Sequence, residues 1–230
     1  MISLNSANLA SANLNLANPV KLRRASYGSE AQVLTDIYLE DTNIVIWQRQ
    51  LSSSLKCSVE AFLQANNHFQ SSLTVTPDTA LSSVSQSLGE NAPYELSENI
   101  AFLVDMFCSL FELNRVGLRL TVLDRAMCPK FHVDNVPCRL ITTFQGVATE
   151  WLPHESVNRE KLGVGSQGKP DHESGLYQNQ DDIQQLNCGD VALLKGEMWQ
   201  GNEKAGLVHR SPQLPHDHLR LLLTLDFIND

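Results

Sequence analysis

The apolar residues of this chain change their spacing partway along, and that change limits the folds open to it. Over residues 96–113, Ile100, Leu103, Val104, Phe107, Leu110 and Phe111 recur at helical intervals, with Ser97 placed to cap the start. After Asn114 the period drops to two: residues 116–124, Val-Gly-Leu-Arg-Leu-Thr-Val-Leu-Asp, alternate as a strand with one buried face does. Further strands are expected at 138–144, at 149–152 and, after a Gly189-Asp190 turn, at 191–195; an apolar run over 219–227 closes the series. Short strands separated by turn signals predict a barrel or sandwich in this half.

The amino half reads differently. Helices are expected over 30–40, from Val33, Leu34, Ile37 and Tyr38, and over 54–66, from Leu55, Val59, Phe62 and Leu63. Short strands are expected at 43–48 and at 72–77, the second ending on Pro77. The polar stretch 1–28 is expected to be poorly ordered or loosely docked, and 29–230 to form one domain. Within it, 29–114 is a helical and α/β flank capping a β-rich core over 115–230, so the fold class is α+β. The polar stretch 154–182, with four glycines and Pro170, reads as a surface loop or lid governing access.

Charge and cysteine usage remove several function classes. A net charge of −9, with no basic run longer than Lys21-Leu-Arg-Arg24, argues against a nucleic-acid partner, because phosphate neutralisation needs clustered Lys and Arg. Five cysteines without a Cys-x-x-Cys pair argue against a disulfide framework and for a reduced, cytoplasmic setting. A chain of 230 residues needs none, since it can bury about 70% of the surface its unfolded form exposes. No window approaches 18 uninterrupted apolar residues, so no membrane span is expected. Phosphate-loop, dinucleotide-binding and nucleophile-elbow motifs are absent from the sequence.

The chemistry-bearing segment is Cys128-Pro-Lys-Phe-His132-Val-Asp134. On an extended strand, i and i+2 share a face, so His132 and Asp134 can reach one ion. His209 follows after a strand and a hairpin-like connection, and the three make a two-histidine, one-carboxylate set that leaves positions open for substrate or oxygen. Arg220, eleven residues after His209 at the start of the last strand, offers a fork for a carboxylate ligand.

The order His132-x-Asp134, Gly189-Asp190 opening a strand, His209 and Arg220 resembles the double-stranded β-helix (jelly roll) of 2-oxoglutarate- and Fe(II)-dependent oxygenases over residues 115–228. That resemblance implies iron on His132, Asp134 and His209, and Arg220 on the distal carboxylate of 2-oxoglutarate. Leu222 stands where that group often carries a small hydroxyl residue. The strings Cys-Pro-x-Phe-His-x-Asp, Gly-Asp-Val-Ala-Leu-Leu-Lys-Gly and His-Arg-Ser-Pro are similar, over most of the chain, to a bacterial domain-of-unknown-function family. This second resemblance implies a setting of zinc-responsive genes, a metallochaperone partner, and zinc as the alternative to Fe(II).

Plainer readings stand beside these. His132 and Asp134 also suit a hydrogen-bonded surface pair, His209 a partly buried histidine satisfied by a backbone carbonyl, and Arg220 a structural ion pair. A jelly roll without metal, acting as an interaction module, would account for all four. Cys128 reads as a small buried hydrophobe more readily than as a fourth ligand. His216 and His218, after Pro212 and Pro215, belong to a solvated loop, and Trp151 and Trp199 to the core or a pocket mouth.

Overall fold

The computed structural model describes residues 22–89 and 93–228. The architecture is α+β in three layers: helices, a seven-stranded sheet, and a three-stranded sheet. The large sheet contains β1 (Arg24–Gly28), β2 (Thr42–Trp47), β3 (Gln70–Val75), β4 (Val116–Leu123), β5 (Cys138–Gln145), β8 (Val191–Lys195) and β10 (Arg220–Asp226), in the order β1-β2-β8-β5-β10-β4-β3. Among these described strands only the β1–β2 pair is parallel. The small sheet runs β7 (Gln184–Gln185), β6 (Glu150–Leu152), β9 (Val208–Arg210).

Strand β10 shows how the layers form. Leu221, Leu223 and Leu225 join a core made with α1 (Ser53–Ala65), α2 (Pro77–Leu88) and α3 (Tyr94–Phe111). On the opposite face, Leu222 joins Ile44, Ile46, Ile141, Ala192 and Leu194 in a second core with Trp151 of β6 and Leu207 beside β9. The two sheets therefore pack face to face. A strand buried on both faces needs apolar residues at nearly every position, which explains the low polarity of 219–227.

Several expectations change. Residues 1–21 lie outside the described ones, but Arg24–Gly28, expected to be loose, is a strand pairing with β2. The expected boundary at 114–115 is no structural division, because β1, β2 and β3 sit in the same sheet as the later strands. Helix α2 was not anticipated. Pro77 ends no strand; it occupies the first turn of α2, where its missing N–H costs nothing, behind a Thr76–Thr79 capping box. Ala80, Val84 and Leu88 then recur every fourth residue on the buried face. Ser97 caps nothing: α3 begins at Tyr94 after Pro93, leaving Ser97 buried within the helix. The helix expected at 30–40 is a 3-10 helix, Ala31–Tyr38.

The stretch 154–182 is no lid either. It folds into short 3-10 turns and the single-turn α4 (Asp171–Ser174), and its Leu176 and Tyr177 are buried with Phe131, Leu152 and Val208. Among the described residues, no helix is long and apolar enough to cross a membrane.

Candidate metal centre

His132 and His209 are brought together by backbone, not by side-chain chance. The segment carrying His132 lies antiparallel to β9, and the two residues exchange both N–H···O bonds at 3.0 Å. Directly opposite residues of such a pair project to the same face. Their rings stand 4.6 Å apart between centroids. The segment is held from behind, where the Phe131 N–H donates to Asp171 Oδ2 at 2.9 Å and Ser211 N–H donates to the Cys128 carbonyl at 2.9 Å. Asp134 lies just beyond the bridge, on no strand, yet points to the same place.

That placement of Asp134 depends on Gly196. The Glu197 N–H donates to the Asp134 carbonyl and the Gly196 N–H to the Pro137 carbonyl. A Cβ at position 196 would collide with the backbone oxygens of Val136 and Asp134, so only glycine lets the end of β8 approach this loop.

The three side chains converge. The Asp134 carboxylate lies 3.8 Å from His132 Nε2 and 3.4 Å from His209 Nε2, and one ligand atom from each residue falls within 4.8 Å of the others. Each imidazole turns its Nδ1 to a backbone carbonyl two residues back, His132 to Lys130 at 3.0 Å and His209 to Leu207 at 3.2 Å. A carbonyl only accepts, so Nδ1 carries the hydrogen and Nε2 presents a lone pair, the tautomer that metal-binding histidines adopt. Burial pushes the His209 imidazole down to about 4, against the pull of the Asp134 charge, so it is neutral at neutral pH. The Nε2 atoms of both imidazoles thus face one carboxylate. Donors about 2.0–2.2 Å from one ion would stand roughly 3–3.5 Å apart, close to this spacing. The residues fit a divalent cation.

Arg139, on β5, sets the charge balance. Its Nη1 donates to Asp134 Oδ2 at 2.7 Å, while Nε and Nη2 grip Asp226 at 2.7 and 3.1 Å. Burial lowers the guanidinium pKa, but the Asp226 hydrogen bonds and the Asp134 charge outweigh it and hold the group above its ordinary value. With Asp226 in place the cluster is net negative. Asp226→Asn leaves Arg139 opposed by Asp134 alone and should weaken Zn(II) binding about tenfold, the low end for an outer partner of a metal ligand. Competition against a chromophoric chelator measures this, and an unchanged affinity would leave Arg139 a purely structural group. Arg139 shares one face of β5 with Ile141 and Thr143, which directs its guanidinium at the inner core, and no local pattern in the sequence marks it.

Arg220 occupies the same sheet face as Leu222 and Thr224 but lies behind the cavity wall. It is 1% exposed, donating from Nε and Nη2 to Thr143 Oγ1 at 3.2 and 3.0 Å and from Nη2 to Thr149 Oγ1 at 2.7 Å. Among the described residues no carboxylate pairs with it, so the structural ion pair is not formed. Burial alone lowers its pKa to about 10.

The trio opens into a cavity of about 320 Å³ whose wall includes Thr149, Leu222, Thr224 and Cys128. Cys128 lines the cavity, but its sulfur is not within the 4.8 Å group. No residue of 154–182 lines it. Trp151 is buried in the second core and Trp199 packs on Tyr38 and Phe111, so neither flanks the mouth. His216 and Asp217 pair with each other in solvent, as expected of that loop.

A cation-ready cluster of two histidines and one carboxylate, set between two packed sheets, defines the class: an α+β protein with a candidate mononuclear metal centre. The chain belongs to the family described as Protein of unknown function (DUF1826), whose profile matches residues 28–226. No curated protein matches it. Among solved structures it is similar to a rice dioxygenase for auxin oxidation, at 11% identity over 90% of this chain and 83% of that one, with a TM-score of 0.47. It is also similar to Streptomyces hygroscopicus HygX with nickel and 2-oxoglutarate bound, at 11% identity over 85% of each chain and a TM-score of 0.46. A Pseudomonas putida prolyl-4-hydroxylase matches at 11% identity over 86% of this chain and 98% of that one, with a TM-score of 0.42. Likenesses this distant leave function to the residues of the site.

Proposed function

We propose that this protein is a jelly-roll (double-stranded β-helix) enzyme that binds Fe(II) on His132, Asp134 and His209 and uses 2-oxoglutarate held by Arg220. The observation that carries the reading is the convergence of two Nε2 lone pairs and a carboxylate, with a buried, anion-free guanidinium in the next layer. Two nitrogens and one oxygen on one side of an ion suit non-haem Fe(II) and leave its other positions open. Bound there, iron would supply the oxidising chemistry, with oxygen and the co-substrate as reactants.

The chain's own residues do the rest. The Nδ1 bonds to Lys130 and Leu207 fix both ring orientations, and Arg139 fixes the Asp134 carboxylate. Thr143 and Thr149 hold the Arg220 fork behind the cavity wall, where dry surroundings strengthen its charge, and a carboxylate would reach it once Thr149, which lines the cavity, turns aside. Leu222 and Ile141 give the cavity an apolar wall.

Anaerobic titration of the protein with Fe(II) and then 2-oxoglutarate tests this. A visible charge-transfer band that saturates with the co-substrate is expected; a flat spectrum from well-loaded protein would sink the oxygenase reading. One observation favours a second reading, zinc held on the same trio with Cys128 added as a fourth ligand: Cys128 lines the cavity. Under that reading, protein purified without chelator carries zinc, loses it in Cys128→Ser, and shows no response to 2-oxoglutarate.

A further inference from the structure

We infer that the cavity contains a second anion site, built on Arg119 with Thr121 and Thr224, that takes the primary substrate as a small organic carboxylate with an apolar body. The assignment rests on the reading that Arg220 serves the co-substrate. Register places the three residues in one patch: Thr224 of β10 pairs with Arg119 of β4, and Thr121 lies two residues further along β4 on the same face. All three line the metal cavity.

Two features mark the patch as a binding surface. The Thr121 and Thr224 hydroxyls are buried and have no hydrogen-bond partner. A buried hydroxyl left unpaired is costly, and a rotation about χ1 would bring either one to a ligand in the cavity that both side chains line. Arg119 is exposed at the cavity edge and, among the described residues, meets no carboxylate. It also lines an adjoining hollow of about 530 Å³, which gives a substrate a way in.

The patch is separate from the Arg220 site. Three residues of β10 separate Arg220 from Thr224, which stand about 13 Å apart along an extended strand. Between them lies the apolar surface of Leu222, with Ile141 and Met127 beside it. Of the arginines lining the cavity, Arg139 and Arg210 are paired with carboxylates, so Arg119 supplies the fork for an anion, and one fork matches a singly charged carboxylate. The substrate therefore sets its carboxylate on Arg119, its oxygen substituents on the two threonines, and its carbon chain across Leu222 toward the metal.

The test uses full-length protein saturated with Zn(II) and 2-oxoglutarate, which does not turn over, and hexanoate as probe with hexanamide as neutral control. Hexanoate should shift the methyl resonances of Met127, Ile141 and Leu222, and Arg119→Gln should raise its dissociation constant at least about tenfold while leaving hexanamide unaffected. 3-Hydroxyhexanoate should bind more tightly than hexanoate, and Thr224→Val should erase that difference. Equal hexanoate binding by wild type and Arg119→Gln overturns the anion site, and no advantage for the hydroxy acid overturns the threonines' part. Binding of 2-oxoglutarate is followed separately by thermal shift. If it fails while hexanoate still depends on Arg119, the co-substrate reading falls and the second site stands; if hexanoate depends on Arg220 instead, the second site falls.

Discussion

His209→Ala protein is expected to fold and to have lost its metal. The side chain is buried, and its one backbone bond, to Leu207, is of the size whose loss costs about 1 kcal/mol, with a small cavity term added. That is a modest loss for a chain of this size, because the bridge pairing His132 with His209 is made by main chain and survives the substitution. The metal is another matter. Loss of an outer partner alone costs about 10–100-fold in metal affinity, and loss of a ligand exceeds that. A metal at a hundred times its dissociation constant stabilises the folded state by about 2.7 kcal/mol, so wild type should show a clear rise in melting temperature with Fe(II) or Zn(II). The variant should show almost none. Asp134→Asn should behave in the same way while keeping its shape, which separates ligation from packing. Full metal-induced stabilisation in both variants would mean that the three side chains do not share an ion.

Arg220→Met should abolish the response to 2-oxoglutarate without weakening the fold. A buried cation with no carboxylate partner carries an uncompensated desolvation cost of several kcal/mol, only partly offset by hydrogen bonds to Thr143 and Thr149. Methionine fills a similar volume and removes that cost, leaving two hydroxyls to lose a partner at about 1–3 kcal/mol each. The two effects are of similar size, so denaturant unfolding of the ligand-free variant should match wild type within about 2 kcal/mol. Wild type should gain stability with 2-oxoglutarate and the variant should not. A strongly destabilised variant would reassign Arg220 to a structural role.

The parts of the site that were legible in the sequence are those whose spacing is local. His132-x-Asp134 can be read because i and i+2 are neighbours on any extended segment, and the strands at 116–123, 138–145 and 191–195 can be read because alternation is a local pattern. Arg139 and Thr224 were missed because nothing within a few residues distinguishes a polar residue aimed into a cavity from one aimed at solvent. Helix α2 was missed because Pro77 terminates a strand and begins a helix with equal local right, and only the packing of Ala80, Val84 and Leu88 under β3 decides. The expected lid at 154–182 failed for a related reason: its polarity concealed Leu176 and Tyr177, which pack against Phe131 and brace the His132 segment.

By itself the sequence determined the residue types available for a cation and an anion, the α+β character, and the period of most elements. Tertiary structure alone decided that β1, β2 and β3 complete the large sheet, that Gly196 lets the Asp134 loop settle against β8, and that Arg220 has no counter-charge among the described residues. Local pattern records which face of a segment avoids water. Which faces meet, and which charges are left without a partner when they do, follows only from pairing across the whole chain.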